Sequence, residues 1–172
     1  FAGETTASKL DRIRQALRRQ HCDGMLISAL DDIAWTLNMR GTDVHCNPVF
    51  VSYLVIEHEK TTLFVDNDKL TSEVSAYLAM LSIKVLPYNE VGKYLKRDYF
   101  AYNILLDPNE TNSYLVACAK EGRAAVVLTT SPIPEMKAVK NETEIQGFHN
   151  AMKRDGVAMV KFLKWLIPAV KA

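Results

Sequence analysis

The stretch Phe50-Val51-Ser52-Tyr53-Leu54-Val55-Ile56, followed after the polar Glu57–Lys60 connection by Thr61-Thr62-Leu63-Phe64-Val65, decides the fold class. Both runs are rich in β-branched and aromatic residues, and so short a link joins adjacent strands as an antiparallel hairpin. Parallel neighbours need a crossover of a dozen residues or more, so a wholly parallel sheet is excluded. Working outward, four further runs read as strands: Met25-Leu26-Ile27, Ile83-Lys84-Val85-Leu86 stopped by Pro87, Ile104-Leu105-Leu106 closed by Asp107-Pro108, and Ala124-Ala125-Val126-Val127-Leu128. Helical spacings alternate with them. Leu10, Ile13 and Leu17 mark a helix from Thr6 to Gln20 with Thr5 or Thr6 as N-cap, and Ile33, Trp35 and Leu37 follow Asp31-Asp32. Leu70 to Leu81, Val91 to Leu95 and Tyr114 to Cys118 supply three more. The alternation predicts an α/β fold, a three-layer α/β/α sandwich with helices on both faces of a six-stranded mixed sheet.

Composition narrows the function classes. The chain has 172 residues, 48% apolar and 24% charged, with 21 Lys+Arg against 20 Asp+Glu. That length suits one main domain of roughly 100–200 residues. A balanced charge argues against a broad nucleic-acid footprint, and no apolar run approaches the ~20 residues of a membrane span. Cys22, Cys46 and Cys118 are odd in number and widely spaced, so they read as small buried apolar residues in a reducing cytoplasm.

The tail reads differently. Ser131-Pro132-Ile133-Pro134 predicts a stiff, extended connector, because each Pro fixes its own φ and restricts its predecessor. Asn141-Glu142-Thr143-Glu144 resembles a capping box, opening a helix whose stripe of Ile145, Phe148, Met152, Met159, Val160 and Leu163 is interrupted at Asp155-Gly156. Residues 1–134 therefore read as one domain, and 135–172 as a linker and the first helix of another. The opening Phe1 and the helix-like Lys164-Trp165-Leu166-Ile167-Pro168 both suggest cut ends, hence a piece of a longer protein.

Few motifs carry chemistry. G-x-G-x-x-G, G-x-x-x-x-G-K-[ST], G-x-S-x-G and H-E-x-x-H are all absent, and His21, His45, His58 and His149 lie far apart. No catalytic residue and no metal ligand follows from spacing. The densest polar cluster runs from Asn38 to Pro48. There Arg40 can offer its planar fork to a carboxylate and His45 can donate to a carbonyl, or Arg40 can simply pair with Asp43. Trp35 reads as core, with a place beside a cleft left open by the neighbouring polar loop. Asp31 and Asp32 read as N-capping residues, while Lys137, Lys140, Lys153 and Arg154 read as a solvated face. Asp155 is either a buried, paired carboxylate or solvated where the helix bends at Gly156.

The run Leu30-Asp31-Asp32-Ile33-Ala34-Trp35-Thr36-Leu37-Asn38-Met39-Arg40-Gly41-Thr42-Asp43, with Asn47-Pro48-Val49-Phe50 after it, resembles the signature of the three-domain Xaa-Pro aminopeptidases (aminopeptidase P family). Phe1-Ala2-Gly3-Glu4 with Lys9 is similar to that family's linker into its second domain. Lys137 to Ile145 resembles the junction into the third domain, and Arg154-Asp155-Gly156-Val157-Ala158 resembles that domain's first helix. The resemblance implies a creatinase/prolidase N-terminal-domain-like fold, here the non-catalytic middle domain of a cytoplasmic peptidase. It implies that the parent removes the residue preceding a Pro at the second position of a peptide, as a homodimer. It further implies two divalent metals, manganese by habit of the family, held by two Asp, one His and two Glu of a C-terminal "pita-bread" catalytic domain. None of those ligands maps onto this chain, so the chain alone is expected to be inactive. What maps is the loop, with Arg40, His45, Trp35 and Asn38 as candidate substrate-binding residues and the catalytic domain as partner. The rival reading is a stand-alone, non-enzymatic peptide- or protein-binding module of the same superfamily.

Overall fold

The structure is a computed structural model that describes residues 2–98 and 102–171. Its larger compact unit, Thr5–Ala138, is built on one six-stranded sheet in the order β4-β3-β2-β1-β5-β6. The strands are β1 (Gly24–Ile27), β2 (Ser52–Glu57), β3 (Thr61–Val65), β4 (Ile83–Pro87), β5 (Asn103–Leu106) and β6 (Ala125–Leu128). The hairpin read from sequence is there, with Leu54 opposite Leu63 and Val55 opposite Thr62. β2 is antiparallel to both β1 and β3, whereas β3–β4, β1–β5 and β5–β6 are parallel. Five strands thus run one way and end on a common carboxyl rim, where β2 begins.

Period-2 alternation splits the core between the two faces. Met25, Ile27, Leu54, Ile56, Leu63, Val65 and Leu105 pack with α1 (Thr6–Arg19), α2 (Leu30–Leu37) and Leu78 of α3 (Ser72–Met80). Leu26, Val55, Phe64, Ile104 and Leu106 face α4 (Val91–Asp98) and α5 (Ser113–Glu121). Burial on both faces explains why β1 reads as a continuous apolar run and why β3, buried throughout, shows no polar–apolar alternation. Caps follow the sequence: the Thr5, Thr71 and Asn112 side chains accept from Ser8 N, Val74 N and Leu115 N.

Several expectations need correction. Ser131–Pro134 is not an extended connector: α6 (Ile133–Ala138) starts inside it, because Pro is tolerated in a helix's first turn, where its missing N–H bonds nothing. Ser131 N donates to Asp107 Oδ2 (2.7 Å) and Ser131 Oγ accepts from Ile133 N (3.2 Å), which opens that helix. Asp31 and Asp32 do not cap α2. Its N-cap is Ala29, with no side-chain hydrogen bond. Cys46 is exposed, unlike buried Cys22 and Cys118.

The second unit joins the chain's first four residues to the segment from Val139 onward. The capping box forms with Asn141 in the Ser/Thr role: Glu144 N donates to Asn141 Oδ1 and Asn141 N to Glu144 Oε2, each at 3.0 Å. From it α7 (Glu142–Lys171) runs 30 residues without a break at Asp155-Gly156. Asp155 is exposed in this chain. Phe148, Met152, Met159, Val160, Phe162, Trp165 and Ile167 of this helix are all exposed.

Leu54 is fully buried at the centre of the β1–β2–β3 ladder. Leu54→Ala is expected to lower unfolding stability by about 2–5 kcal/mol, the usual transfer-plus-cavity cost, read as a reduced urea midpoint.

Candidate functional site

α2 ends in a Schellman motif. Asn38 adopts the left-handed region (φ 53°), its N–H reaches Trp35 O (3.3 Å), and Met39 N–H reaches Ala34 O (3.1 Å). Two cations converge on the same carbonyls. Lys9 Nζ donates to Trp35 O (2.8 Å) and Asn38 Oδ1 (2.7 Å) and sits 4.2 Å from the Trp35 ring centroid. Arg40 Nη1 donates to Ala34 O (2.9 Å) and Met39 O (2.8 Å). Positive charge at a helix C-terminus complements the partial negative charge there.

Beyond Arg40 the chain doubles back. Gly41 N–H reaches Pro48 O and Asp43 N–H reaches Val49 O, both at 3.3 Å, with a Val44–Asn47 bridge at the tip. Gly41 is required by close approach, since a Cβ there would lie 2.7 Å from Phe50 Cβ. Asp43 does not pair with Arg40. It accepts from Val51 N (2.7 Å) and Lys69 Nζ (2.6 Å), and the Lys69 hydrogen bond in particular holds its carboxyl below the ordinary range. The Asp43–Lys69 pair joins two open concavities on the carboxyl rim. One, about 360 Å³, is lined by Gly41, Thr42, Val44, His45, Cys46, Asn47 and Pro48. The other, about 400 Å³, is lined by Val51, Val65, Asp66, Asn67, Lys69, Pro87, Tyr88 and Asn89. Of the candidate residues, His45 lines the first concavity and Arg40 is exposed at its root. Trp35 is 8% exposed and lies in the core, and Asn38 serves as the cap of α2.

A second cluster, farther along the rim, was not legible in spacing. Lys137 of α6 bonds Asp31 Oδ2 and Asp32 Oδ1, the latter at 2.5 Å, instead of lying on a solvated face. Hydrogen bonding to Lys137 lowers Asp31, but at Asp32, which is 1% exposed, desolvation outweighs the same ammonium and raises the pKa. Glu110 is raised too, by burial first and then by Asp32, Asp107 and Asp31. Lys137 already occupies the place a cation would take, and among the described residues no group of three or more His, Cys, Asp or Glu is arranged to hold a metal ion.

With the geometry in view, comparisons place the chain. The family model described as the creatinase/prolidase N-terminal domain matches residues 1–144. Xaa-Pro aminopeptidase 1 of Dictyostelium discoideum is 44% identical over 167 residues, covering 96% of this chain and 26% of that protein. The crystal structure of an X-prolyl aminopeptidase from Caenorhabditis elegans, described as a cytosolic enzyme with a di-nuclear active site, superposes with a TM-score of 0.91 at 32% identity, covering 97% of this chain and 28% of that one. A Bacillus anthracis Xaa-Pro dipeptidase shares the fold (TM-score 0.62, 16% identity, 83% of this chain and 38% of that one). The chain spans about a quarter of the length of the curated Xaa-Pro aminopeptidases it matches.

Two outcomes test the electrostatics and packing of the rim. Because the folded pKa of Glu110 lies above its unfolded value, the fold favours the neutral acid, and that stability is lost as pH rises through the folded pKa. Glu110→Gln should therefore raise the urea midpoint near neutral pH, with the difference from wild type vanishing in the acid range. Gly41→Ala should cost roughly 1–3 kcal/mol by overpacking against Phe50, measured by the same melts.

Proposed function

The chain belongs to the creatinase/prolidase N-terminal domain family, and from that premise we propose that it is the non-catalytic domain of a metal-dependent Xaa-Pro aminopeptidase, shaping how peptides reach a catalytic domain elsewhere in the longer protein. The observation that carries this reading is the asymmetry of coverage: nearly all of this chain aligns with about a quarter of full-length Xaa-Pro aminopeptidases. The parent removes the residue that precedes Pro at the second position of a peptide. Metal activation of water would then be supplied by residues outside this chain, and no step of it runs through the side chains described above. The cytosolic description of the Caenorhabditis elegans enzyme supports a cytoplasmic setting, and no helix among the described residues is long and apolar enough to cross a membrane.

α7 supports the same reading from physics. A helix with large apolar residues exposed on several faces belongs inside a core, and its long run from Glu142 to Lys171 is that of a helix built to be covered. Its cover is the catalytic domain.

The role of the 39–50 loop is substrate restriction. His45 and Asn47 present donors to peptide carbonyls in the concavity, and Arg40 offers charge at its root. The 172-residue chain supplied with manganese should release no amino acid from Xaa-Pro dipeptides, whereas the full-length protein should. Release by the chain alone would refute the assignment. Full-length protein lacking activity even when loaded with metal would favour a binding module. In an active parent, Arg40→Ala should lower kcat/KM by the equivalent of about 1–3 kcal/mol, the worth of a charged hydrogen bond; unchanged kinetics would return Arg40 to capping α2.

A further inference from the structure

Building on the reading that the 39–50 loop meets substrate, we propose that Lys9 is a positioning residue of that loop, acting through the C-terminal end of α2. Lys9 is 1% exposed and stands among the largest fully buried side chains of the domain. It lies on the inward stripe of α1 with Thr6, Leu10, Ile13 and Leu17, where a methionine would fill the same space without a charge. A buried ammonium is costly unless oxygen atoms surround it. Here it is aimed at Trp35 O and Asn38 Oδ1, with the Trp35 ring against its charge.

The identity of residue 38 fits this role. A left-handed helix terminus takes glycine by default, because glycine has no Cβ penalty there. Asparagine tolerates the same φ and adds the oxygen that Lys9 needs. Lys9 holds the turn from the core side, and Arg40 grips Ala34 O next to it. Past this point the loop is closed by two long main-chain bonds, Gly41–Pro48 and Asp43–Val49, each 3.3 Å, and by Asp43, which accepts from Val51 N (2.7 Å) and Lys69 Nζ (2.6 Å). The far end of the loop is held by the burial of Val49 and Phe50 in the core, and its near end, the turn after α2, is the end that Lys9 fixes.

Amide hydrogen exchange of the 172-residue chain tests the assignment, comparing Gly41, Asp43, Asn47, Val49 and Val51 with Leu26, Val55 and Leu63 of the sheet. Lys9→Met should speed exchange of the loop amides by about tenfold or more, relative to any change in the strand amides. Asn38→Gly keeps the left-handed turn and removes the acceptor of Lys9, so it gives the same selective loosening without emptying the buried lysine site. Unchanged loop exchange in both variants, or equal acceleration of loop and strands, overturns the proposal, since a merely structural lysine would affect all alike. In the full-length peptidase, Lys9→Met should raise KM for Xaa-Pro peptides about tenfold with kcat retained. Selective loosening without a change in KM would uphold the anchor and refute the substrate role of the loop.

Discussion

β2 runs against five strands that all point the other way, and this one reversal dictates where the polar chemistry of the domain collects. A chain leaving a parallel strand for another parallel neighbour must cross the whole sheet before re-entering. Leaving β1 for antiparallel β2, it needs no crossing, because β2 starts on the rim where β1 stops. Everything between Ile27 and Ser52 is therefore an excursion on one rim: α2, its Schellman turn and the doubled-back loop. The carboxyl ends of β3, β4, β5 and β6 meet the same rim and bring Lys69, Tyr88, Asp107 and Lys137 to it. Open α/β sheets characteristically place ligands outside the carboxyl ends of their strands, and the concavities here lie there.

The sandwich was legible because its strands and helices satisfy local rules. The tight link at Glu57–Lys60 permits little but a hairpin, and the inward stripe of α1 needs no tertiary information to be seen. The capping box at Asn141 is equally local. Helix α6 was not legible, since Pro132 and Pro134 suggest extension when read singly, and only the Asp107 carboxylate, brought from the end of β5, accepts the Ser131 amide and turns the chain. That bond spans 24 positions, and no window of sequence contains the reason for it.

The candidate site was half legible. Its polar density between Asn38 and Pro48 marked the loop, but pairing inside it was misread: proximity suggests Arg40 with Asp43, whereas helix-end carbonyls claim the guanidinium and Lys69 claims the carboxylate. Lys9 left a signal that could have been used, a lysine falling in register with Thr6, Ile13 and Leu17. Spacing shows that such a residue is inside; it does not show what it touches. Cys46 illustrates the converse, since a residue type that is usually buried stands at the exposed tip of a turn with φ of 60°.

Asp31 and Asp32 show how burial, rather than pairing, decides the behaviour of a charge. Both share one ammonium, that of Lys137, at hydrogen-bond distance. Asp31 keeps most of its carboxylate in water, so the partner's attraction prevails and its pKa falls. Asp32 has lost nearly all its hydration, one of its oxygens has no hydrogen-bond partner among the described residues, and its pKa rises despite the same partner. Desolvation of an ion costs several kcal/mol, whereas a single pair in partly wet surroundings returns less, so the balance turns first on exposure, with the charges of Asp31 and Asp107 adding to the rise at Asp32. Removing Lys137 would take away the ammonium that faces both carboxylates and leave Asp32 buried without it. The two ends of α2 are thus held by the same device, a lysine from another helix, reaching carboxylates at the start and carbonyls at the finish.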